Sequence, residues 1–259
     1  MRVSIITVSY NARLYIAQTI ESVLAQDYED LEYIIVDGAS SDGTPEIIKQ
    51  YADDPRLKWV SEPDQGIADA MNKGADLATG EVITHLNADD YYPGPHTISC
   101  VAECFISRPD ILWLTGGFDF VAEDGSFLQS FKVRRYSFRR LIRGNIMQHP
   151  STFIRLDAFR DAGGFDPSLR YCMDYDLFLR LGALAPPFLM NERLSCFRVH
   201  GASRTITESD HSYAEEFMVR RRYLRERGKS VIPYWLQYHI KKILNRRLYR
   251  QLLHRSQGI

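Results

Sequence analysis

Cysteine is scarce in this 259-residue chain, and the four present, Cys100, Cys104, Cys172 and Cys196, form no CxxC pair. That spacing excludes a zinc ribbon, a CxxC redox motif and a dense disulfide framework. Cys100 and Cys104 stand four apart on a predicted helix and read as core packing. A reducing, cytoplasmic location fits. No run approaches the ~18 consecutive apolar residues of a transmembrane helix. The opening Met1-Arg2-Val3-Ser4-Ile5-Ile6 goes straight into a predicted strand, without the apolar segment and cleavage site of a secretory leader. Internal repeats and low-complexity tracts are absent too.

Net charge is also small, at −1, but it hides an asymmetry. Residues 1–110 hold 7 Lys and Arg against 19 Asp and Glu, a balance of −12; residues 111–259 hold 25 against 14, a balance of +11. An acidic half suggests metal-dependent chemistry. A basic half suggests an anionic partner such as phosphate, a membrane surface or nucleic acid.

What the sequence does contain is a strand–helix alternation. A largely β-branched run at 3–8 and a second apolar-rich run at 31–36 read as buried strands, and runs at 57–60 and 81–86 as the third and fourth strands. Helical stretches at 12–25, 44–51 and 66–78 separate them, the first with Ile16, Ile20, Val23 and Leu24 on one face and the second with Pro45 in its first turn. Short loops between alternating strands and helices predict a parallel sheet with right-handed crossovers. All four strands then end on one rim, where ligands bind in open α/β sheets. Asp37, Asp64 and Asp89-Asp90 all fall at or just after those ends. For Asp89-Asp90 two readings stay open at this point: a solvated turn, or a cation site formed by adjacent carboxylates.

The second half is expected to contribute a helix at 96–106 and a strand at 111–115. Runs at 118–121 and 126–131 flank Glu123-Asp124-Gly125, a hairpin signal. A helical piece at 137–143, a strand at 152–155 and a turn at 157–162 follow. A helix is predicted at 177–184, capped by Asp174 or Asp176 with the other acid left over. A strand at 194–199 ends at His200, a lone histidine that reads as either structural or a ligand. Beyond residue 205 come helices at 212–227 and 234–253. From Arg220 to Arg255 there are 12 basic residues against the single acid Glu226. That makes a basic amphipathic tail, suited either to a membrane surface or to packing on the domain.

The ordered set of motifs resembles the family-2 glycosyltransferases, which are inverting enzymes with a nucleotide-sugar donor and the GT-A fold. The matching pieces are Ser4-Ile5-Ile6-Thr7-Val8-Ser9-Tyr10-Asn11, Ile35-Val36-Asp37-Gly38-Ala39-Ser40-Ser41-Asp42-Gly43-Thr44 and Ser61-Glu62-Pro63-Asp64-Gln65-Gly66. They continue with Asp69-Ala70-Met71-Asn72-Lys73-Gly74, Leu86-Asn87-Ala88-Asp89-Asp90, Gly163-Gly164-Phe165-Asp166, Asp174-Tyr175-Asp176-Leu177 and His200-Gly201-Ala202-Ser203. The resemblance spans residues 1–205. It implies a Rossmann-like α/β GT-A domain with a mixed, mainly parallel sheet flanked by helices. Residues 1–110 would be the nucleotide-binding half, 111–205 the acceptor-binding half, and 206–259 a helical extension.

The resemblance also implies roles. Thr7, Ser9 and Asn11 would lie near base and ribose, and Asp37 would hydrogen-bond the base, uracil in the usual case. Asp64 and Lys73 would lie beside nucleotide and sugar. Asn87-Ala88-Asp89 occupies the DxD position with Asn in place of the first Asp. The metal, Mn²⁺ or Mg²⁺, would then fall to Asp89, with Asp90 supporting it or touching the sugar and His200 on the metal or diphosphate. Asp174 would be the general base. The partners implied are a nucleotide-diphosphate sugar, UDP-linked, and a saccharide acceptor, lipid-linked in the reading that gives the basic tail a membrane contact. The expected setting is bacterial cell-surface polysaccharide or lipopolysaccharide assembly, in the cytoplasm at the inner face of the membrane. Oligomerisation stays open.

Two other classes compete. A sugar nucleotidyltransferase commonly uses a glycine-rich phosphate loop after its first strand, but Ser9-Tyr10-Asn11-Ala12-Arg13 has no glycine. A non-catalytic binding module does not need Asp37, Asp89, Asp90 and Asp174 together. Nucleic acid is not expected, because no recognised motif accompanies the basic residues.

Overall fold

The computed structural model describes residues 1–132, 135–201, 208–235 and 238. Its first half alternates as the sequence predicts: β1 (Val3–Ser9), α1 (Ile16–Leu24), β2 (Leu31–Asp37), α2 (Thr44–Lys49), β3 (Leu57–Ser61), α3 (Ile67–Leu77) and β4 (Val82–His85). Strands β1 to β4 pair in parallel, so their carboxyl ends share one rim. After α4 (Thr97–Ser107) come β5 (Trp113–Val121), β6 (Phe127–Phe131), α5 (Phe138–Arg143), β7 (Thr152–Arg155) and α6 (Leu156–Asp161). The described chain ends with α7 (Met173–Leu184), β8 (Phe188–Arg198) and α8 (Ser209–Glu226). Sheet order is β3-β2-β1-β4-β7-β5-β6, with β8 parallel to β5. The β7 pairings with β4 and β5 are antiparallel, which makes the sheet mixed.

Residue alternation explains the layers. Ile6, Val8, Ile34 and Val36 point into one core with α3, α5, α7 and α8; Ile5, Tyr33 and Ile35 point into the other with α1 and α4. A parallel sheet needs apolar residues on both faces because helices cover both. Val219, Tyr223 and Leu224 of α8 belong to the first core, so this helix packs on the domain.

Four local expectations are corrected. The runs at 111–115 and 118–121 are one strand, β5. Gly116-Gly117 separate the two predicted runs, but a Cβ on Gly116 would sit 2.6 Å from the Leu194 side chain, and one on Gly117 2.8 Å from the Phe131 carbonyl. The glycines therefore mark close approach of β8 and β6. Strand β8 starts at Phe188, six residues before the predicted run. Helix α1 starts at Ile16 rather than Ala12, leaving a longer loop after β1. Neither Asp174 nor Asp176 caps α7; both lie in its first turn, after the boundary residue Cys172. No helix among the described residues is long and apolar enough to cross a membrane. The predicted helix at 234–253 lies largely outside the described residues.

Candidate active site

Ser9, Asp37 and Ser61 are in register across β1, β2 and β3, at the rim. Asp37 accepts hydrogen bonds from Ser9 Oγ (2.9 Å), Ser61 Oγ (2.7 Å), Ser40 N (2.9 Å) and Ser40 Oγ. It is fully buried. The carboxylate assigned to a base is therefore occupied in tying three strand ends to one loop. Thr7 is similarly enclosed and accepts from Tyr33 Oη at 3.1 Å. Lys73 turns to Glu62 (3.0 Å), Asp69 (3.5 Å) and the Pro63 carbonyl (3.1 Å), with Glu62 the main cause of its raised pKa.

A cavity of about 1190 Å³ opens over this rim. From the rim of β1 to β4 it is lined by Ser9, Asn11, Gly38, Asp64, Asn87, Ala88 and Asp89; from the other side by Asn145, His149, Asp174 and His200. Asn11 has a φ of 51° and accepts from Ser41 N at 3.1 Å. A Cβ on Gly38 would meet Asp64 Oδ2 at 2.4 Å, so a larger residue there would displace that carboxylate. Asp64 in turn accepts from Gly66 N at 2.8 Å, which sets the start of α3.

The turn after β4 separates its two acids. Asp90 is 1 % exposed. It accepts from Asn87 Nδ2 at 2.8 Å and from Arg198 N at 3.0 Å. Burial, and then the charge of Asp89, push its pKa well above the usual carboxylate range. Asp90 was expected on the metal or the sugar. The structure instead encloses it under the turn, with both oxygens engaged by protein donors. Asp89 faces the cavity, with its Oδ2 2.9 Å from His200 Nε2. Thr19 Oγ1 lies 2.9 Å from the Ala88 carbonyl and 2.7 Å from that of Asp90. Arg198 donates to the carbonyls of Asp89 (3.1 Å) and Glu123 (2.6 Å), with its guanidinium over the rings of Tyr15 and Tyr91. Tyr15 packs on the His200 ring, 4.7 Å between centroids. Burial, and then its bond to Glu123, push its phenol up to about 12.

Across the cavity, Asp174 accepts from Asn145 Nδ2 at 3.0 Å and from Tyr175 N at 2.7 Å. His149 bridges the two sides: Nε2 lies 2.9 Å from Asn87 Oδ1 and Nδ1 lies 3.7 Å from Asp174 Oδ2. Asn87 Nδ2 is committed to Asp90, so Oδ1 is the atom facing His149, and Nε2 carries the hydrogen. The departure from DxD at Asn87 thus has a local reason. An amide can donate to Asp90 and accept from His149; a carboxylate cannot do both. Asp176 ion-pairs with Arg180 (2.7 Å) and Arg222 (2.8 Å), away from the cavity.

Sequence reasoning missed His149, Asn145, Arg198 and Glu215. Glu215 of α8 accepts from the backbone of Arg170 (3.0 Å), Tyr171 (2.6 Å) and Cys172 (2.7 Å), just before α7. It serves the helix that carries Asp174, in place of a side-chain cap at Cys172. Each of these contacts spans at least 29 residues of sequence, and no local pattern signals them.

A mixed, mainly parallel sheet with acids gathered on the rim of its first four strands, and helices on both faces, defines the GT-A type of glycosyltransferase fold. The chain belongs to glycosyl transferase family 2, whose model matches residues 4–160. It is 30% identical over 219 residues to a chondroitin synthase of Pasteurella multocida (strain Pm70), a match that covers 84% of this chain and 22% of that protein. The chain thus spans less than a quarter of the length of that relative. Among solved structures, S. aureus TarS 1–349 in complex with UDP-GlcNAc superposes with a TM-score of 0.70 at 19% identity, over 85% of this chain and 65% of that one. The mannosyltransferase PcManGT from Pyrobaculum calidifontis, in complex with GDP-Man and Mn²⁺, gives 0.65 at 21% identity, over 99% and 73%.

Proposed function

We propose that this chain is an inverting glycosyltransferase that moves a sugar from a nucleotide-diphosphate sugar to a saccharide hydroxyl. One observation carries the reading: Asp174 and the Asp89–His200 pair line the same cavity, each held by its own hydrogen bonds. Asp174 is the general base. Asn145 and the Tyr175 amide orient its carboxylate, which takes the proton of the attacking hydroxyl. Direct displacement inverts the anomeric carbon, and no second nucleophilic carboxylate is required.

Asp89 and His200 supply one oxygen and one nitrogen donor on the cavity wall. Among the described residues no group of three or more His, Cys, Asp or Glu gathers there. That donor set fits Mn²⁺ or Mg²⁺ shared with diphosphate oxygens, since such ions are commonly held by one or two protein groups plus substrate phosphates. A cation so held supplies Lewis-acid stabilisation of the departing diphosphate. Ser9, Asn11, Asp64 and Ala88 form the nucleotide side of the cavity. UDP is the proposed base-bearing half, by analogy with the TarS complex. Polysaccharide assembly is the proposed setting, by analogy with the chondroitin synthase. The cytoplasmic face of the membrane is the proposed place, with the basic tail as one contact. The transferase domain would run through α8 and not end at residue 205, because Val219, Tyr223 and Leu224 lie in its core and Glu215 holds the start of α7.

Asp174→Asn is the direct test. Transfer is expected to fall at least about a hundredfold, the scale of a lost general base. UDP binding, measured by thermal shift with Mn²⁺, stays within twofold. A variant with parental turnover removes Asp174 as the base.

A further inference from the structure

Between Asp124 and Asp157 the chain has no acidic residue and seven basic ones: Lys132, Arg134, Arg135, Arg139, Arg140, Arg143 and Arg155. The fold gathers five of them on one stretch of surface. Lys132 follows edge strand β6, and Arg135 lies in the connection to α5; both are exposed. On α5, Leu141 and Ile142 are buried in the core, which turns Arg139, Arg140 and Arg143 outward. Arg140 Nη1 donates to the Arg135 carbonyl at 2.8 Å and fixes the connection. Among the described residues, none of these five cations forms an ion pair.

The same stretch exposes apolar rings. Phe127 and Phe131 lie on one face of β6 and are 62% and 38% exposed. Phe131 directly precedes Lys132, so apolar and cationic groups meet at the end of β6, and exposed apolar area rimmed by charge marks an interaction surface. Phe131 also lines the cavity mouth, and α5 packs on α7, the helix that bears Asp174.

We infer that the β6–α5 surface docks on an anionic lipid bilayer, independently of the basic tail. Guanidinium groups take phosphate oxygens in pairs, and phenylalanine rings recover their exposed area at the acyl boundary. The chemistry is that of an interfacial contact, with cations around a projecting apolar ring. It turns the cavity mouth toward the membrane surface, where a lipid-linked hydroxyl would arrive. Each basic residue near an anionic leaflet multiplies partitioning about fivefold, the equivalent of about 1 kcal/mol.

The test is co-sedimentation of the full chain with vesicles of phosphatidylcholine, alone or mixed with phosphatidylglycerol, at low salt. Three variants are compared: Arg135→Gln/Arg139→Gln/Arg143→Gln, Phe127→Ser, and the tail variant Arg246→Gln/Arg247→Gln/Arg250→Gln. The first should lower partitioning to anionic vesicles about a hundredfold while keeping the parental melting temperature. Phe127→Ser should weaken it in high and low salt alike. Both should leave transfer to a soluble saccharide unchanged, so failure of the surface reading is separable from failure of the transferase reading. The inference is overturned if the arginine variant partitions within twofold of the parent, or if only the tail variant loses binding. It is equally overturned if the parent binds a single-stranded oligonucleotide and not the vesicles.

Discussion

Restoring the first acid of the DxD pattern, Asn87→Asp, should weaken this protein rather than improve it. In the parent, Asn87 Nδ2 donates to Asp90 at 2.8 Å, on a carboxylate that is 1 % exposed and already raised in pKa by burial and Asp89. Aspartate removes that donor and sets a third carboxylate beside the other two. A charge-assisted hydrogen bond is worth about 1.5–3 kcal/mol, and a like charge in its place raises the pair's upper pKa further. The pair escapes the repulsion by retaining a proton. The lost donor sets the scale of the cost, about 2.5 kcal/mol within that range. The sign follows from linkage. A carboxyl whose folded pKa lies above its unfolded value contributes fully below about pH 4, and that contribution is lost as pH rises through the folded pKa. Asn87→Asp should therefore melt close to the parent at pH 5 and about 5–10 °C lower at pH 8, using about 2–4 °C per kcal/mol for a chain of this size. Thermal unfolding followed by circular dichroism at both pH values measures this. A variant as stable as the parent at pH 8 would refute the matched arrangement of Asn87, Asp90 and His149.

Three further outcomes are expected. Asp89→Ala should bring nucleoside diphosphate binding in Mn²⁺ down to the level a chelator gives the parent; isothermal titration showing full Mn²⁺ dependence in the variant would end the metal assignment. His149→Ala should lower kcat about tenfold to a hundredfold, since small displacements of a base are costly, with nucleotide affinity within twofold. His149→Gln keeps a donor toward Asn87 and should recover part of the rate; equal losses in both would remove the bridging role. Glu32, under the opposite rim, is raised by burial but brought down to about 2 by bonds from Lys58, Ser4 and Thr79. Its contribution is present above about pH 4.5 and lost as pH falls toward 2. Glu32→Gln should cost about 1–2 kcal/mol at pH 7 by urea titration, with the gap closing near pH 2. A gap that does not change with pH would contradict the bond set.

The sequence by itself determined the architecture of the first half. Apolar runs of strand length alternating with amphipathic segments admit essentially one arrangement, a parallel sheet covered on both faces, and this places Asp37, Asp64 and Asp89 on one rim. Hydrophobic period and short connections are local properties, so they can be read locally. Gly116-Gly117 misled because glycine punctuates turns and also admits close strands, and only the neighbours Leu194 and Phe131 distinguish the two. Tertiary structure alone decided which acids face the cavity. Asp89 and Asp90 are adjacent in sequence, yet one meets His200 across 111 residues and the other is enclosed by Asn87 and the Arg198 amide. The same holds for Asp174, whose setting comes from Asn145, from His149 and, through the start of α7, from Glu215. Hydrogen-bond geometry and burial are set by residues distant in the chain, and a sequence pattern carries no distances between them.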